Sequence, residues 1–159
     1  MLDRKAYHQT LPTKRISAGC LFLDEQHRLL VVNPTYKKHW EIPGGTVEAH
    51  EAPRVSVERE IMEELGLSRP MLRLLCVDYT GETDTRTESL HFIFYGGIMT
   101  TTDIAAIRLP LEELSEFRFL PPPEAMSRLG KRLRLRVHHA LKAIDSGQTC
   151  YLEEQAPVF

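Results

Sequence analysis

Residues 45–67 read GTVEAHEAPRVSVEREIMEELGL, and this stretch decides the fold. Pro53 suits the first turn of a helix, because the N–H that proline lacks would be unpaired there in any case. Gly66 suits the position just past a helix, where the backbone often turns left-handed. The stretch therefore predicts a helix over residues 53–65.

Glutamates crowd one side of this predicted helix. At about 100° per residue, Glu60, Glu63 and Glu64 share an arc of roughly 100° beside the apolar stripe that starts at Val57. Like charges at this spacing repel one another. A hard divalent cation with oxygen ligands, such as magnesium, would remove that repulsion. The alternative is a solvated acidic face, on which Arg59 offsets the charge of Glu63.

The whole stretch resembles the Nudix box, Gx5Ex7REUxEExGU, in which U is a bulky apolar residue. Every defined position of the box is met in residues 45–67, namely by Gly45, Glu51, Arg59, Glu60, Ile61, Glu63, Glu64, Gly66 and Leu67. The resemblance implies an α/β fold of the α+β type, an α/β/α sandwich around a mixed sheet. It also implies a single Nudix hydrolase domain over residues 1–159, in which residues 1–14 are a loosely held N-terminal segment.

The resemblance further implies a reaction. A Nudix pyrophosphohydrolase cleaves the phosphoanhydride bond of a nucleoside diphosphate linked to another group X, such as a free nucleotide or a nucleotide sugar. Water activated by Mg²⁺, or by Mn²⁺ as a substitute, attacks one phosphorus. Two alternatives stay open: a ligand-sensing module without turnover, and a pyrophosphohydrolase of RNA caps. An isomerase of the same fold would need an added cysteine and acid around the site, and no such pattern is evident.

Roles for individual residues also follow from the resemblance. The metal ligands would be Glu60, Glu64 and Glu63, joined by the carbonyl of Gly45 or Gly44. Arg59 would pair with Glu51 and with the helix carboxylates. The general base would be Glu63 or Glu60, or an acid from a later loop. The later candidates are Glu82, Asp84, Glu88, Glu112 and Glu113.

Four residues before the Pro-Gly-Gly turn are candidates for binding substrate. Lys37 and Lys38 could attract the phosphates, and Tyr36 or Trp40 could stack on a base. The plainer interpretation is a solvated loop, with Trp40 packed on the core.

The composition limits the partners of the protein. The 159 residues carry a net charge of −2, whereas a nucleic-acid binder usually has a basic excess. We therefore expect a small phosphorylated substrate and no nucleic acid, and we leave a homodimer open. Residues 1–10 lack an apolar core, and no apolar run approaches the length of a membrane span. We expect no secretory signal, no membrane partner and a cytoplasmic location, with Cys20, Cys76 and Cys150 as buried or free thiols.

The rest of the chain predicts strands and helices in mixed order. Predicted strands cover 16–23, 28–32, 72–80, 90–99 and 104–109, and predicted helices cover 111–117, 124–129 and 131–145. His91 lies within an aromatic strand pattern, so we interpret it as structural. The basic stretch KRLRLRVHH at 131–139 is interpreted as a charged, solvated helix face.

Overall fold

The computed structural model describes residues 3–159 as strands and helices that alternate along the chain. The strands are β1 Arg15–Asp24, β2 Leu29–Pro34, β3 Gly44–Thr46, β4 Arg73–Thr80, β5 Ser89–Met99, β6 Leu114–Leu120, β7 Cys150–Glu153 and β8 Ala156–Pro157. The helices are α1 Arg4–Gln9, α2 Pro53–Leu65, α3 Thr101–Ala105, α4 Pro122–Arg128 and α5 Lys131–Ser146.

One mixed sheet forms the middle of the molecule. Its strands run in the order β6-β2-β1-β5-β4-β7-β8. The short strand β3 also pairs with β1, along the edge of β1 that faces away from β5. The pairs β1–β5 and β4–β7 are parallel, and the other pairs are antiparallel. The predicted mixed sheet is therefore confirmed.

Both faces of the sheet are covered, as the central strand β1 shows. Side chains alternate along a strand, so Cys20 and Phe22 face one side while Leu21 and Leu23 face the other. The first pair packs with the apolar side of α2, and the second pair packs with α4 and α5. All four side chains are buried because helices lie on both faces. This arrangement is the expected α/β/α sandwich.

Two of the predicted elements are wrong. The predicted strand 104–109 is instead the end of the short helix α3 followed by a turn and an irregular segment, because Thr100 and Asp103 form a capping box that starts the helix. The predicted helix 111–117 is instead a turn followed by β6, whose residues pair with the whole of β2. Strand pairing overrides the local helix propensity here, because β6 provides hydrogen-bond partners for β2, which would otherwise be an edge strand.

Several short elements have no counterpart in the sequence-based prediction. They are α1, whose residues are not buried, and the strands β3, β7 and β8. Residues 1 and 2 of the N-terminal segment lie outside the described residues. Cys20 and Cys76 are buried free thiols, and Cys150 is a half-buried one. No helix among residues 3–159 is long and apolar enough to cross a membrane.

Candidate active site

Helix α2 carries the predicted carboxylates at its boundary with the sheet. Pro53 opens the helix, and Gly66 closes it in a left-handed conformation with its N–H bonded to the carbonyl of Met62. The buried residues Val57, Ile61 and Leu65 anchor one side of the helix on the sheet. The neighbouring glutamates are therefore held beside β3.

Glu64 is the most enclosed of these glutamates. Its Oε2 accepts a hydrogen bond from the backbone N–H of Gly44 at 2.9 Å. Burial raises the pKa of the Glu64 carboxyl to about 8, and the negative charges of Glu60, Glu41 and Glu113 act in the same direction. Two acids from outside the helix, Glu41 and Glu113, thus act on Glu64, and Glu41 was not among the sequence-based candidates.

Glu60 lies against the backbone of β3. Its pKa is raised by burial, while the guanidinium of Arg59 opposes that shift. A Cβ on Gly45 would lie only 2.5 Å from Oε1 of Glu60, so any larger residue would displace this carboxylate. The glycine at position 45 therefore lets the carboxylate and the β3 backbone approach each other.

Arg59 ties the preceding loop to the helix. Its Nε and Nη2 donate to the two carboxylate oxygens of Glu51 at 3.1 and 2.8 Å. Its Nη1 donates to Glu60 at 2.9 Å and to Glu63 at 3.2 Å. Glu51 also accepts the N–H of Glu48, and Arg59 lowers the pKa of Glu51 to about 2. The fork of one arginine thus holds three carboxylates in place.

The donor set at this site fits a hard divalent cation. Residues 3–159 contain no group of three acidic, histidine or cysteine side chains that already converge at metal-binding distance. Glu60 instead accepts a hydrogen bond from Arg59, and Glu64 accepts one from the N–H of Gly44. Among the described residues, Glu64 forms no salt bridge, and Glu51, Glu60 and Glu63 share the one guanidinium of Arg59, so the group lacks a positive charge that would balance all of its carboxylates. Oxygen ligands that lack such a charge are those that Mg²⁺ or Mn²⁺ binds.

A large cleft lies on the opposite face of the sheet, where α5 packs. Its volume is about 1230 Å³, and its walls come from the loop before β3, the β4–β5 loop and the start of α5. Seven lysines and arginines line it against two carboxylates, Glu41 and Asp84. The basic residues are Arg15, Lys37, Lys38, Arg86, Lys131, Arg132 and Arg136.

Glu41 connects this cleft with the glutamate helix. It lines the cleft, and its charge also acts on Glu64. Lys37 holds Glu41 through an ion pair of 2.8 Å. Glu41 therefore links the basic cleft electrostatically to Glu64, while the described cleft lining itself contains no residue of α2 or β3.

The four predicted substrate residues do not share one environment. Lys37, Lys38 and Trp40 line the cleft. Tyr36 is outside the lining and exposes 70% of its surface. The guanidinium groups of Arg118 and Arg128 lie over the Trp40 ring, at 5.6 and 5.0 Å from its centroid. The ring of Trp40 is thus already in contact with two cations.

The later-loop acids are also spread over different places. Glu82 is exposed in the β4–β5 loop, and Asp84 lines the cleft. Glu88 is bonded to Lys14 and to the hydroxyl of Tyr79. The carbonyls of Glu112 and Glu113 accept bonds from Thr35, and Glu113 is the member of this group whose charge acts on Glu64.

The interpretation of residues 131–139 as a solvated face is wrong at Arg136. Arg136 is only 6% exposed, and its Nε donates to the buried carboxylate of Asp78 at 2.8 Å. An aspartate inside the apolar strand 72–80 was the signal in the sequence that a buried partner was required.

His91 combines a structural place with exposure to the cleft. Its ring nitrogens bond to the hydroxyls of Ser17 and Ser89, at 2.6 and 2.9 Å, and the residue lines the cleft. Burial lowers the pKa of His91 to about 4, and the positive charge of Arg136 adds to this effect.

The fold and the glutamate helix agree with the comparison to known proteins. The family model of the NUDIX domain matches residues 13–141. The chain belongs to the Nudix family. Its enzyme class is that of the pyrophosphohydrolases.

Individual Nudix relatives differ in how much of the chain they share. A MutT-like protein of Streptomyces ambofaciens is 26% identical over 135 residues, 82% of this chain and 79% of the relative. Diphosphoinositol polyphosphate phosphohydrolase 2 of Rattus norvegicus is 30% identical over 92 residues, 57% of this chain and 48% of the relative, so the match spans about half of that protein. The solved structure of a UDP-X diphosphatase has a TM-score of 0.71 at 17% identity, covering 96% of this chain and 76% of that chain.

Proposed function

We propose that this Nudix protein hydrolyses, with Mg²⁺, the phosphoanhydride bond of a nucleoside diphosphate linked to a group X. The observation that carries this proposal is that Glu60, Glu63 and Glu64 lie together on α2 beside the β3 backbone, where Glu64 accepts the N–H of Gly44 and Arg59 holds the other two. The rat relative is named for a diphosphoinositol compound and the solved structure for UDP-X, so the two names share only the diphosphate. These names support the reaction class and leave X open.

In this proposal, some residues bind the charged substrate and the cation, and others hold the loop and the helix in position. Lys37 and Lys38 attract the substrate's phosphates into the cleft. Glu60, Glu63 and Glu64 are the proposed ligands of the cation, together with the carbonyl of Gly45. A bound divalent cation would offset the charge of the diphosphate and lower the pKa of the attacking water. Arg59 and Glu51 keep the loop on the helix, and a nearby carboxylate accepts the proton of that water.

The test compares the wild type with Glu64→Gln on nucleotides, nucleotide sugars, dinucleoside polyphosphates and capped RNA in Mg²⁺. We expect one class of small diphosphates to turn over, and the variant to lose about 100-fold or more in kcat, because the cation contributes several kcal/mol to the transition state. Glu25→Gln is the matched control, since Glu25 is exposed at the far end of β1 and should leave the rate unchanged.

Three results would contradict the proposal. Equal rates for wild type and Glu64→Gln would remove the glutamate helix from the reaction. No turnover of any compound, with Mg²⁺ or Mn²⁺, would favour a sensing module instead. A rate on capped RNA alone would move the substrate to RNA.

A further inference from the structure

Two cysteines from distant parts of the chain lie opposite each other in the sheet. Cys76 of β4 and Cys150 of β7 are directly paired residues of two parallel strands. Both side chains pack in the same apolar cluster, on the face of the sheet that α5 covers. Neighbouring strands are about 4.8 Å apart, and a disulfide joins residues whose Cα atoms are about 4.4–6.8 Å apart. The sheet therefore holds the two thiols at a separation that one disulfide can bridge.

The backbone on either side keeps the two cysteines in this register. Before the pair, the hydroxyl of Thr149 donates to the carbonyl of Leu74 at 2.7 Å. After it, the N–H of Glu154 donates to the carbonyl of Tyr79 at 2.8 Å. Four consecutive residue pairs join the two strands between these contacts. Strand β7 is thus fixed along β4 at both of its ends.

The two thiols differ in their access to solvent and in their acidity. Cys76 is fully buried, whereas Cys150 is half-buried. A hydrogen bond with the Cys76 thiol lowers the pKa of Cys150, and the same contact together with burial raises the pKa of Cys76. Because the thiolate is the form that reacts with oxidants, Cys150 is the sulfur that an oxidant reaches first. Cys76 lies beside it as the resolving thiol.

We propose that Cys76 and Cys150 are a redox-modification site, at which hydrogen peroxide converts the two thiols into one reversible disulfide. The Cys150 thiolate attacks one peroxide oxygen, and the O–O bond breaks. Hydroxide leaves and takes up the proton that Cys150 had released, so that Cys150 becomes a sulfenic acid. The Cys76 sulfur then attacks the sulfenic sulfur, and the S–O bond breaks as water leaves with the proton of Cys76. The two thiols lose two electrons to the peroxide, and a dithiol reductant returns both cysteines to the thiol state.

The disulfide joins β4 covalently to the hairpin of β7 and β8. The turn of this hairpin contacts the end of β4 and the β4–β5 loop. Glu154 accepts the N–H of Gly81, and the side-chain amide of Gln155 donates to Asp78 and to Thr80, at 3.1 Å each. Thr80 and Gly81 line the cleft. Oxidation therefore fixes the hairpin that supports this wall of the cleft.

Thiol counting and peptide mapping of the folded protein test this inference. The full chain is treated with a small molar excess of hydrogen peroxide, and free thiols are then titrated in guanidinium chloride. We expect the count to fall from three to one, because Cys20 is buried in the other apolar cluster, on the opposite face of the sheet. After tryptic digestion, residues 74–86 and 143–159 should be joined in one species, which dithiothreitol should separate.

Two variants with two cysteines each separate the pair from the third thiol. Cys150→Ser should keep both of its thiols under the same treatment, because Cys20 and Cys76 are fully buried. Cys20→Ala is the matched control and should lose both of its thiols, because the pair is intact. If thermal melting shows that a variant is unfolded, the peptide map of the wild type still identifies the linked cysteines.

The melting temperature gives a second measurement. Oxidation should raise that of the wild type by about 5 °C or more, because the bond closes a loop of about 74 residues in the unfolded chain. Cys150→Ser should show no such rise.

Three thiols after treatment, or Cys150 oxidised to a sulfinic acid beside an intact Cys76, overturns the inference. A disulfide between two copies of the chain, seen on a non-reducing gel, also overturns it. So does a melting temperature that fails to rise in the oxidised wild type, since the bond would then not fit the native register of β4 and β7.

Discussion

Single residues on α2 contribute to the site in different ways. Glu63 has 57% of its side chain exposed, whereas Glu64 faces the N–H of Gly44 from a largely enclosed position. Arg59 contacts the loop and the helix at once. The Nudix box predicted the residue types at these positions of α2, and the structure shows that the glutamate side chains differ in burial.

Replacement of Arg59 tests whether its geometry matters beyond its charge. Arg59→Lys keeps the positive charge and loses the fork that reaches Glu51, Glu60 and Glu63. We expect kcat or the affinity for Mn²⁺ to fall about 10- to 100-fold, as is typical when a residue that orients metal ligands is lost. Arg54→Lys is the control, because within the described part of the chain Arg54 pairs only with Glu58. Similar losses in both variants would refute a special role for Arg59.

The choice of general base is a second question at this scale. Among the later-loop acids, Glu113 is the one whose charge acts on Glu64, and Thr35 holds its backbone. We therefore predict that Glu113→Gln lowers kcat about 10²- to 10⁴-fold with little change in the pattern of substrates. The neighbouring Glu112→Gln should stay within about threefold of the wild type. If Glu63→Gln shows the large loss and Glu113→Gln does not, the base lies on α2 instead.

At the scale of elements, the end of a helix was easier to predict than the nature of a short segment. The predicted bounds of α2, 53–65, agree with the structure because proline and glycine act locally at its two ends. Segment 111–117 is different: β6 forms because β2 lies beside it, and that partner is about 80 residues away in the sequence. Long-range pairing of this kind leaves no local signal.

The two glycine caps allow a matched prediction about helix ends. Gly66 and Gly147 close α2 and α5 with φ of 69° and 73°. Gly147→Ala should lower the free energy of unfolding by about 1 kcal/mol, the cost of a left-handed residue with a Cβ. Gly66→Ala should cost more, because its Cβ would lie 3.3 Å from Cβ of Arg108, whereas nothing lies within 4 Å at Gly147. Urea denaturation of both variants measures the difference, and equal losses would contradict the contact.

At the scale of the whole molecule, the glutamate helix and the basic cleft lie on different faces of the sheet. Helix α2 covers one face, and the cleft opens on the other beside α5. The box predicted the first site from 23 contiguous residues. The cleft could not be predicted, since its walls come from β1, two loops and α5, and Asp78, Arg136 and Gln155 are far apart in the sequence.

His91, which lines the cleft, gives the stability of the fold a predicted dependence on pH. Burial holds the pKa of His91 at about 4, below its ordinary value of 6.5, and Arg136, Arg15 and Arg132 oppose its protonation while Asp78 favours it. Between these two values the unfolded chain binds more protons than the folded one, so stability falls as the pH falls. We expect this residue to account for about 1–2 kcal/mol, since its ring is partly solvated.

Urea denaturation of wild type and His91→Gln at pH 4.5 and pH 7 measures this contribution. The variant should lose less stability between the two pH values, because glutamine does not titrate. An equal loss in both proteins would assign the acid sensitivity to other groups.

The parallel pairing of β1 with β5 has a consequence for folding kinetics. Arg15 pairs with Ser89 and Asp24 with Met99, so the two central strands meet only after about 74 residues of chain have closed into a loop. Helix α2 lies within that loop, and its turns form by local contacts alone. A chain of this contact order should gain helical structure early and its cleft late. Refolding experiments should therefore recover the circular dichroism of the helices before the capacity to bind a nucleotide.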